Sequence, residues 1–319
     1  MLARLQASRR AYHERYYAMF SSILGGIVTD PTLMVLPLDD HMVHRGDGVF
    51  EVVKCTDGNL YNWLAHLSRL EASAAGIGLR SAWSPAELTA ILGETVRAGG
   101  RRDCLARLFL SRGPGSQSVN PYDSPAPALY VVAYQKNRAY MDAHPEGTRA
   151  VTNLTPVKPG AFARIKSLNY LPNVLMKKAA VDAGVDFALG FDENGFLAEG
   201  ATENAGIVTR DRVLRVPRPD RILRGTTMMR VLELARGAEG RRDVRGCEEG
   251  DIAKKDLSEA AEILIFGTTA DVTAVVELDG RPVGDGRPGP VFLALRRLLL
   301  EDIRSNAALH TPAFVSRCK

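Results

Sequence analysis

Cysteine is scarce: the 319 residues hold four, Cys55, Cys104, Cys247 and Cys318, with no paired spacing. That excludes a disulfide framework and the common zinc motifs, and points to a reducing compartment. Histidine is scarce as well, and the six residues are too scattered to build a metal site. No apolar run approaches the roughly 20 residues needed to cross a bilayer. The opening MLARLQASRRAYHERYYAMF is basic but has neither the apolar core nor the small-residue cleavage site of a signal peptide, so the cytoplasm is the expected location. Charge of one sign is in little excess, 41 basic against 37 acidic residues giving +4. The paired arginines Arg9-Arg10, Arg101-Arg102, Arg241-Arg242 and Arg296-Arg297 stand far apart without interleaved aromatics, which argues against a nucleic-acid partner. There is no internal repeat, no Rossmann glycine fingerprint and no Walker loop; GDGVF and GTTAD lack the required spacing.

What is present is an ordinary globular composition, 45% hydrophobic and 24% charged, on a chain long enough for two domains, or one large one, with a real core. From Ile27 to about Tyr61, short β-rich runs (MVLPL, GVFEVVKC, LYNWL) alternate with turn signals such as Asp57-Gly58-Asn59. Helices are expected near Ala65 to Ala75 and Ser84 to Ala98, then strands at ARLFLSR and PALYVVAYQK. The Pro/Gly-rich passage TNLTPVKPGAF marks the expected boundary between a domain of residues 1–155 and one of residues 156–319. In the second, FALGFDENG, FLAEGATENAGIVTR, VLRVP, ILIFGT and VTAVVELDG read as strands, and Thr227 to Ala235 and Val291 to Ser305 as helices. Strands and helices mix without a strict βαβ rhythm, so the fold class is α/β (α+β) and not a doubly wound sheet.

The stretch ARIKSLNYLPNVLMKKAA raises the question of chemistry. Leu168, Leu171, Leu175 and Ala179 recur at helical steps, and Pro172 suits a first helical turn, which sets the helix start near Asn169 to Leu171. Lys177 and Lys178 then fall on a solvated face. Lys166 falls just before the helix, behind an extended apolar approach. A lysine nucleophile forms a Schiff base with a carbonyl and must be held in a partly desolvated pocket. Alone, Lys166 reads far more readily as a solvated surface lysine, and the company it keeps changes this. Glu199, in LAEGATEN, stands at the end of an apolar strand beside Gly200, where a carboxylate aims into a pocket, and Glu203 competes with it on residue type. Two Gly-Thr-Thr triplets follow. Gly225-Thr226-Thr227 opens a helix, whose free N–H groups favour an anion, and Gly267-Thr268-Thr269 closes a strand; either could be an ordinary cap. Arg69, on a helix, is either a counter-charge for a phosphate or an exposed arginine. HRGDGVFE packs two glycines beside Phe50, which suits close approach of backbone to a ligand. A Schiff-base lysine, a carboxylate for a pyridinium nitrogen and a phosphate cup are the parts of a pyridoxal 5′-phosphate site.

HRGDGVFE, HLSRL, IKSLNYLPNVL, LAEGATENAGIV, ILRGTT and IFGTTADVTAV resemble, in order, the motifs of the class IV (fold type IV) pyridoxal-phosphate aminotransferases, from about Met19 to about Arg304. MFSSILGGIVTDPTLMVLPLDDHMVHRGDGVF is similar to the plant-type D-amino-acid aminotransferases, which are also credited with 4-amino-4-deoxychorismate lyase activity. The resemblance implies a small N-terminal α/β domain, a larger C-terminal pseudobarrel domain that binds the cofactor, and a homodimer. It implies that Lys166 is the Schiff-base lysine and Glu199 the partner of the pyridine nitrogen. Arg69 would hold the phosphate, with Thr226, Thr227 and Thr268 at the phosphate cup. Tyr170 would lie near the cofactor hydroxyl, one residue closer to the lysine than in branched-chain members.

The departures bear on substrate. EGxxxN is followed here by Ala205-Gly206, not by an apolar and an aromatic residue. Gly225-Thr226-Thr227-Met228 lacks the family's basic residue. SRGPGSQSVNP has neither the arginine–histidine pair of bacterial D-amino-acid enzymes nor the glycine–arginine step of the lyases. Arg45, beside the HRGDGVF glycines and the aromatic wall Phe50, is the replacement expected to hold the substrate carboxylate, unless it pins the turn through Asp47. The expected reaction is transfer of an amino group between a small amino acid, foremost a D-amino acid, and a 2-oxo acid. The alternatives are the lyase, releasing pyruvate and 4-aminobenzoate, and a branched-chain L-amino-acid aminotransferase.

Overall fold

Valine and phenylalanine crowd the run GVFEVVKC, as a strand between two packed layers requires, and it forms the strand Gly48–Thr56, almost wholly buried. The computed structural model describes residues 2–153, 155, 157–237 and 243–314. Leu154 and Pro156 of the Pro/Gly passage, Arg241-Arg242 and Cys318 lie outside them.

Contacts divide the described chain into two units: residues 2–137 with Ile165–Asn169 and 306–314, and Arg138–Arg164 with Tyr170–Ser305. The expected boundary after residue 155 falls inside the second unit. The reason is strand Thr148–Thr152, which pairs in parallel with both Asp271–Leu278 and Phe187–Leu189.

Among the described residues, the first unit carries a seven-stranded antiparallel sheet. Its order is His310–Pro312, Asn59–Tyr61, Gly48–Thr56, Cys104–Ser111, Ala128–Tyr134, Tyr16–Ser21 and Gly26–Val28. Helix Trp63–Gly76 packs on Gly48–Thr56, and helix Pro85–Ala98 on the strands beyond it. Ser84 and Glu87 close a capping box on the second helix, with Pro85 in its first turn. Trp63, Leu70, Leu88, Leu92, Val53 and Leu108 fill the core.

The second unit has a mixed sheet in the order Gly246–Gly250, Val213–Pro217, Asn204–Val208, Glu262–Gly267, Asp271–Leu278, Thr148–Thr152 and Phe187–Leu189, with Arg281–Pro282 beside Asp271–Leu278. Helix Pro290–Ser305 packs on Asp271–Leu278 and on helix Thr226–Arg236. Its first turn is closed by Glu262, whose carboxylate accepts the N–H groups of Val291 and Phe292 at 2.9 and 2.8 Å. No helix among the described residues is long and apolar enough to cross a membrane.

Four local expectations change. The approach to Lys166 is not extended: Gly160–Arg164 forms a 3-10 turn. MVLPL forms no strand: a 3-10 turn at Pro31–Leu33 precedes it, and Pro37 has no N–H for a ladder. LYNWL splits, because the strand ends at Tyr61, Asn62 turns through a left-handed conformation (φ 54°) and the helix begins at Trp63. The helix in NYLPNVLMKKAA begins at Leu171 with Pro172 in its first turn, but buries Asn173, Met176 and Ala180. Leu171 and Leu175 stay exposed. The Asn173 side chain donates to the carbonyl of Ala201 at 2.6 Å, and that polar anchor selects the face.

Candidate active site

Lys166 sits in a short segment, Ile165–Asn169, that lies along strand Gly48–Thr56. Phe50 N–H donates to the Lys166 carbonyl and Leu168 N–H to that of Gly48, both at 3.0 Å. The Lys166 N–H donates to Ser73 Oγ at 3.1 Å. The glycines of HRGDGVF make room for this segment. A Cβ on Gly48 would stand 2.7 Å from Leu168 and 2.8 Å from the Leu110 carbonyl, and one on Gly46, whose φ is +66°, would stand 3.1 Å from the Asn169 backbone. The close approach read from the sequence is thus made by the lysine's own segment. Lys166 is buried, and its Nζ lies 4.7 Å from the centre of the Phe50 ring.

Arg69 lies on helix Trp63–Gly76 and is nearly buried. Its Nε and Nη2 each donate to Glu51 at 2.7 Å, and His66 Nδ1 donates to the same carboxylate at 2.7 Å. Burial pushes the Glu51 carboxyl up, but the Arg69 charge and these hydrogen bonds outweigh it and bring it down to about 2. Burial also lowers His66, against the pull of Glu51.

Arg45 is exposed and donates to the carbonyls of His44 and Gln117, at 2.9 and 2.6 Å. Asp47 is held instead by Arg112, through both carboxylate oxygens at 3.0 Å, and by His41. Arg107, on strand Cys104–Ser111, stands in none of the sequence motifs. Its guanidinium lies 5.6 Å from the Phe50 ring and 5.9 and 5.6 Å from those of Phe109 and Tyr134. Its Nε is buried without a hydrogen-bond partner, and such an orphaned donor suits an anion. Nothing in sequence spacing distinguishes this arginine from a solvated strand residue.

In the second unit Glu199 is half-buried, bridged to Asn204, with its Oε2 accepting the N–H of Leu223 at 3.4 Å. Glu203, its rival, closes its own turn by accepting the backbone and hydroxyl hydrogens of Thr202. Asn204 is the junction of this half. Its amide donates to the Leu223 carbonyl at 2.8 Å, and its backbone stands opposite Phe266 in the strand that leads into Gly267-Thr268-Thr269. A Cβ on Gly225 would come within 1.8 Å of Asn204 Oδ1, so any side chain there would have to displace the Asn204 amide. Asn204 thus gathers both Gly-Thr-Thr triplets. Helix Thr226–Arg236 starts at Gly225 with no side-chain cap, unlike the helix closed by Glu262. Thr226 is buried, while Thr227 and Thr268 are half-buried. Tyr170 lies with Lys158, whose Nζ is 4.6 Å from the Tyr170 ring; burial lowers the Lys158 amine, against the charge of Glu199.

Each unit, taken by itself, offers groups of the kind that pyridoxal 5′-phosphate requires. The chain offers a buried lysine amine beside an aromatic face, a half-buried carboxylate, and a helix N-terminus in a glycine cradle flanked by hydroxyls. A model of the family described as amino-transferase class IV matches residues 48–278. The chain is 38% identical to the chloroplastic D-amino-acid transaminase of Arabidopsis thaliana, over 92% of this chain and 78% of that one. It is 32% identical to the putative branched-chain-amino-acid aminotransferase of Methanocaldococcus jannaschii, over 88% and 96%. A T.th. branched-chain amino acid aminotransferase, solved with pyridoxamine 5′-phosphate, superposes with a TM-score of 0.85 at 27% identity, covering 94% of this chain and 99% of that one. The chain belongs to the class IV aminotransferases, enzymes that use pyridoxal 5′-phosphate to move an amino group from an amino acid to a 2-oxo acid.

Proposed function

We propose that this aminotransferase takes a D-amino acid as donor and a 2-oxo acid as acceptor, with Lys166 as its catalytic lysine. The observation that carries the lysine is its burial on strand Gly48–Thr56 with Nζ over the Phe50 ring; the Arabidopsis thaliana relative supports the D-amino-acid side. Pyridoxal 5′-phosphate supplies an electron sink for the bond broken at the substrate carbon. Lys166 Nζ would hold the cofactor and, as an amine, would serve as the general base that moves the proton at the substrate Cα. The carboxylate of Glu199 would keep a proton on the ring nitrogen. Arg69, Thr226, Thr227 and Thr268 would bind the phosphate, and Tyr170 would lie near the cofactor hydroxyl. The cation for the substrate carboxylate is Arg107, favoured over Arg45 because Arg45 is exposed and already committed to two carbonyls. A homodimer belongs to the same reading, supported by exposed Ile23, Leu24, Leu38 and Val119 on the first unit.

Borohydride reduction of the loaded enzyme followed by peptide mapping tests the lysine: label is expected on Lys166, and label on Lys158 or Lys177 overturns the assignment. A panel of D- and L-amino acids with 2-oxoglutarate or pyruvate tests the donor. Faster turnover of L-valine or L-leucine than of any D-amino acid would favour the branched-chain reading. Release of pyruvate and 4-aminobenzoate from 4-amino-4-deoxychorismate without amino transfer would establish the lyase. Arg107→Lys is expected to raise KM for the amino acid about tenfold or more with cofactor affinity intact, since the bidentate fork is lost. The same change at Arg45 tests the competing site.

A further inference from the structure

Glu51 is fully buried on an apolar strand, between Phe50 and Val52. A valine or leucine there would extend the core, whereas an ionised carboxylate costs several kcal/mol of desolvation that only close partners offset. The partners come from one face of one helix. His66, Arg69 and Ser73 stand three and four residues apart on Trp63–Gly76, so they form a single stripe. His66 and Arg69 grip Glu51, and Ser73 receives the Lys166 N–H. The stripe therefore runs from a buried carboxylate to the backbone of the catalytic lysine. Glu51 engages Arg69 side-on, through Nε and Nη2, which sets the plane and rotation of a rigid five-donor fork. A long side chain left to itself would sample many rotamers, and ordering it on binding would weaken affinity.

We propose that Glu51, supported by His66, is a positioning residue for the cofactor phosphate: it holds the Arg69 guanidinium so that the edges it does not grip meet the phosphate oxygens. This rests on the reading of Arg69 as a phosphate ligand. Structural burial alone explains a carboxylate less well, because an apolar residue would serve the core as well or better. Orientation explains the two-point grip.

The test compares binding of pyridoxal 5′-phosphate with that of pyridoxal, which lacks the phosphate, by absorbance titration of the cofactor-free full-length chain. Glu51→Gln keeps the shape but loses one acceptor oxygen and the charge. Its affinity for pyridoxal 5′-phosphate should fall about tenfold or more, with the affinity for pyridoxal little changed, so that the ratio of the two falls. A merely structural role would weaken both equally. The double variant Glu51→Gln/Arg69→Gln removes both charges together and leaves no buried ion unpaired. If it keeps the wild-type ratio, Arg69 does not bind the phosphate and the underlying reading fails. If it lowers the ratio while a folded Glu51→Gln keeps it, the reading stands and the positioning role of Glu51 is overturned. Should Glu51→Gln not fold, His66→Gln decides: it removes one of the three bonds, and the ratio should fall about threefold, whereas an unchanged ratio overturns the proposal.

Discussion

A carboxylate at zero exposure ties the stability of this chain to pH. Both Glu51 and His66 have folded-state values below their unfolded ones. Each contributes stability above its unfolded value that is lost as acid is added: His66 as pH falls below 6.5, Glu51 between 4.5 and about 2. The melting temperature is expected to drop in two stages on acidification, and His66→Gln should remove much of the first. Identical melting curves for wild type and variant between pH 7 and pH 5 would contradict this. A second prediction at this scale concerns Glu199. Glu199→Gln should still bind cofactor but lose turnover on the order of 10²-fold, about 2.7 kcal/mol of barrier, because an amide cannot keep the ring nitrogen protonated. A severe loss in Glu203→Gln with a mild one in Glu199→Gln would exchange the two carboxylates. Lys166 and Glu199 were legible in the sequence as candidates because each sits in a local motif, a lysine just before a helix and a glutamate beside glycine, although the approach to Lys166 folds as a 3-10 turn at Gly160–Arg164 and Glu199 makes an isolated bridge to Asn204 outside any strand. Glu51, Arg107 and Asn204 were not. Their signals are burial, an orphaned donor and a contact with a glycine distant in sequence, and none of these exists until the chain folds.

At the scale of the element, the helix Leu171–Asp182 separates periodicity from packing. Apolar residues at Leu171, Leu175 and Ala179 gave its type and its start, yet the buried side is Asn173, Met176 and Ala180. A helix that carries apolar residues on two faces does not declare which one is buried. Met176→Ala is therefore expected to cost about 2–4 kcal/mol in urea unfolding, and Leu175→Ala under about 1 kcal/mol. The reverse order would restore the face read from the sequence. Helix Thr226–Arg236 gives the sharper functional test. Gly225 has an ordinary φ of −61°, so its requirement is purely steric, a Cβ meeting Asn204 Oδ1 at 1.8 Å. Gly225→Ala must push Asn204 away from the turn it anchors. Affinity for pyridoxal 5′-phosphate should fall at least tenfold in an absorbance titration while the far-ultraviolet circular dichroism stays unchanged.

Over the whole molecule, chain order and contact order part company. Strands such as Gly48–Thr56, Cys104–Ser111, Ala128–Tyr134, Glu262–Gly267 and Asp271–Leu278 and the longer helices were legible from their local patterns, but Tyr16–Ser21, Thr148–Thr152, Gly246–Gly250 and His310–Pro312 were not, nor was the path between units, because these depend on pairings far apart in sequence. Residues 2–137 are completed by Ile165–Asn169 and by residues 306–314. The first segment supplies Ile165 to the core and hydrogen bonds to Gly48, Phe50 and Ser73. The second supplies the edge strand His310–Pro312 against Asn59–Tyr61, and Ala313, whose N–H donates to Gly58 and whose methyl joins the same core. A fragment cut at the boundary read from the sequence, residues 1–155, lacks both. It also keeps strand Thr148–Thr152 without the partners Asp271–Leu278 and Phe187–Leu189 that satisfy its backbone. Unpaired strand edges and an open core favour aggregation over a unique fold. The fragment is therefore expected to show no cooperative urea transition when expressed alone, and to regain one when mixed with residues 156–319, which carry every missing strand and strap. A single sharp transition from residues 1–155 alone, with the steepness expected of a folded domain of that length, would show that the returning segments are dispensable and that the boundary at 155 is a true one.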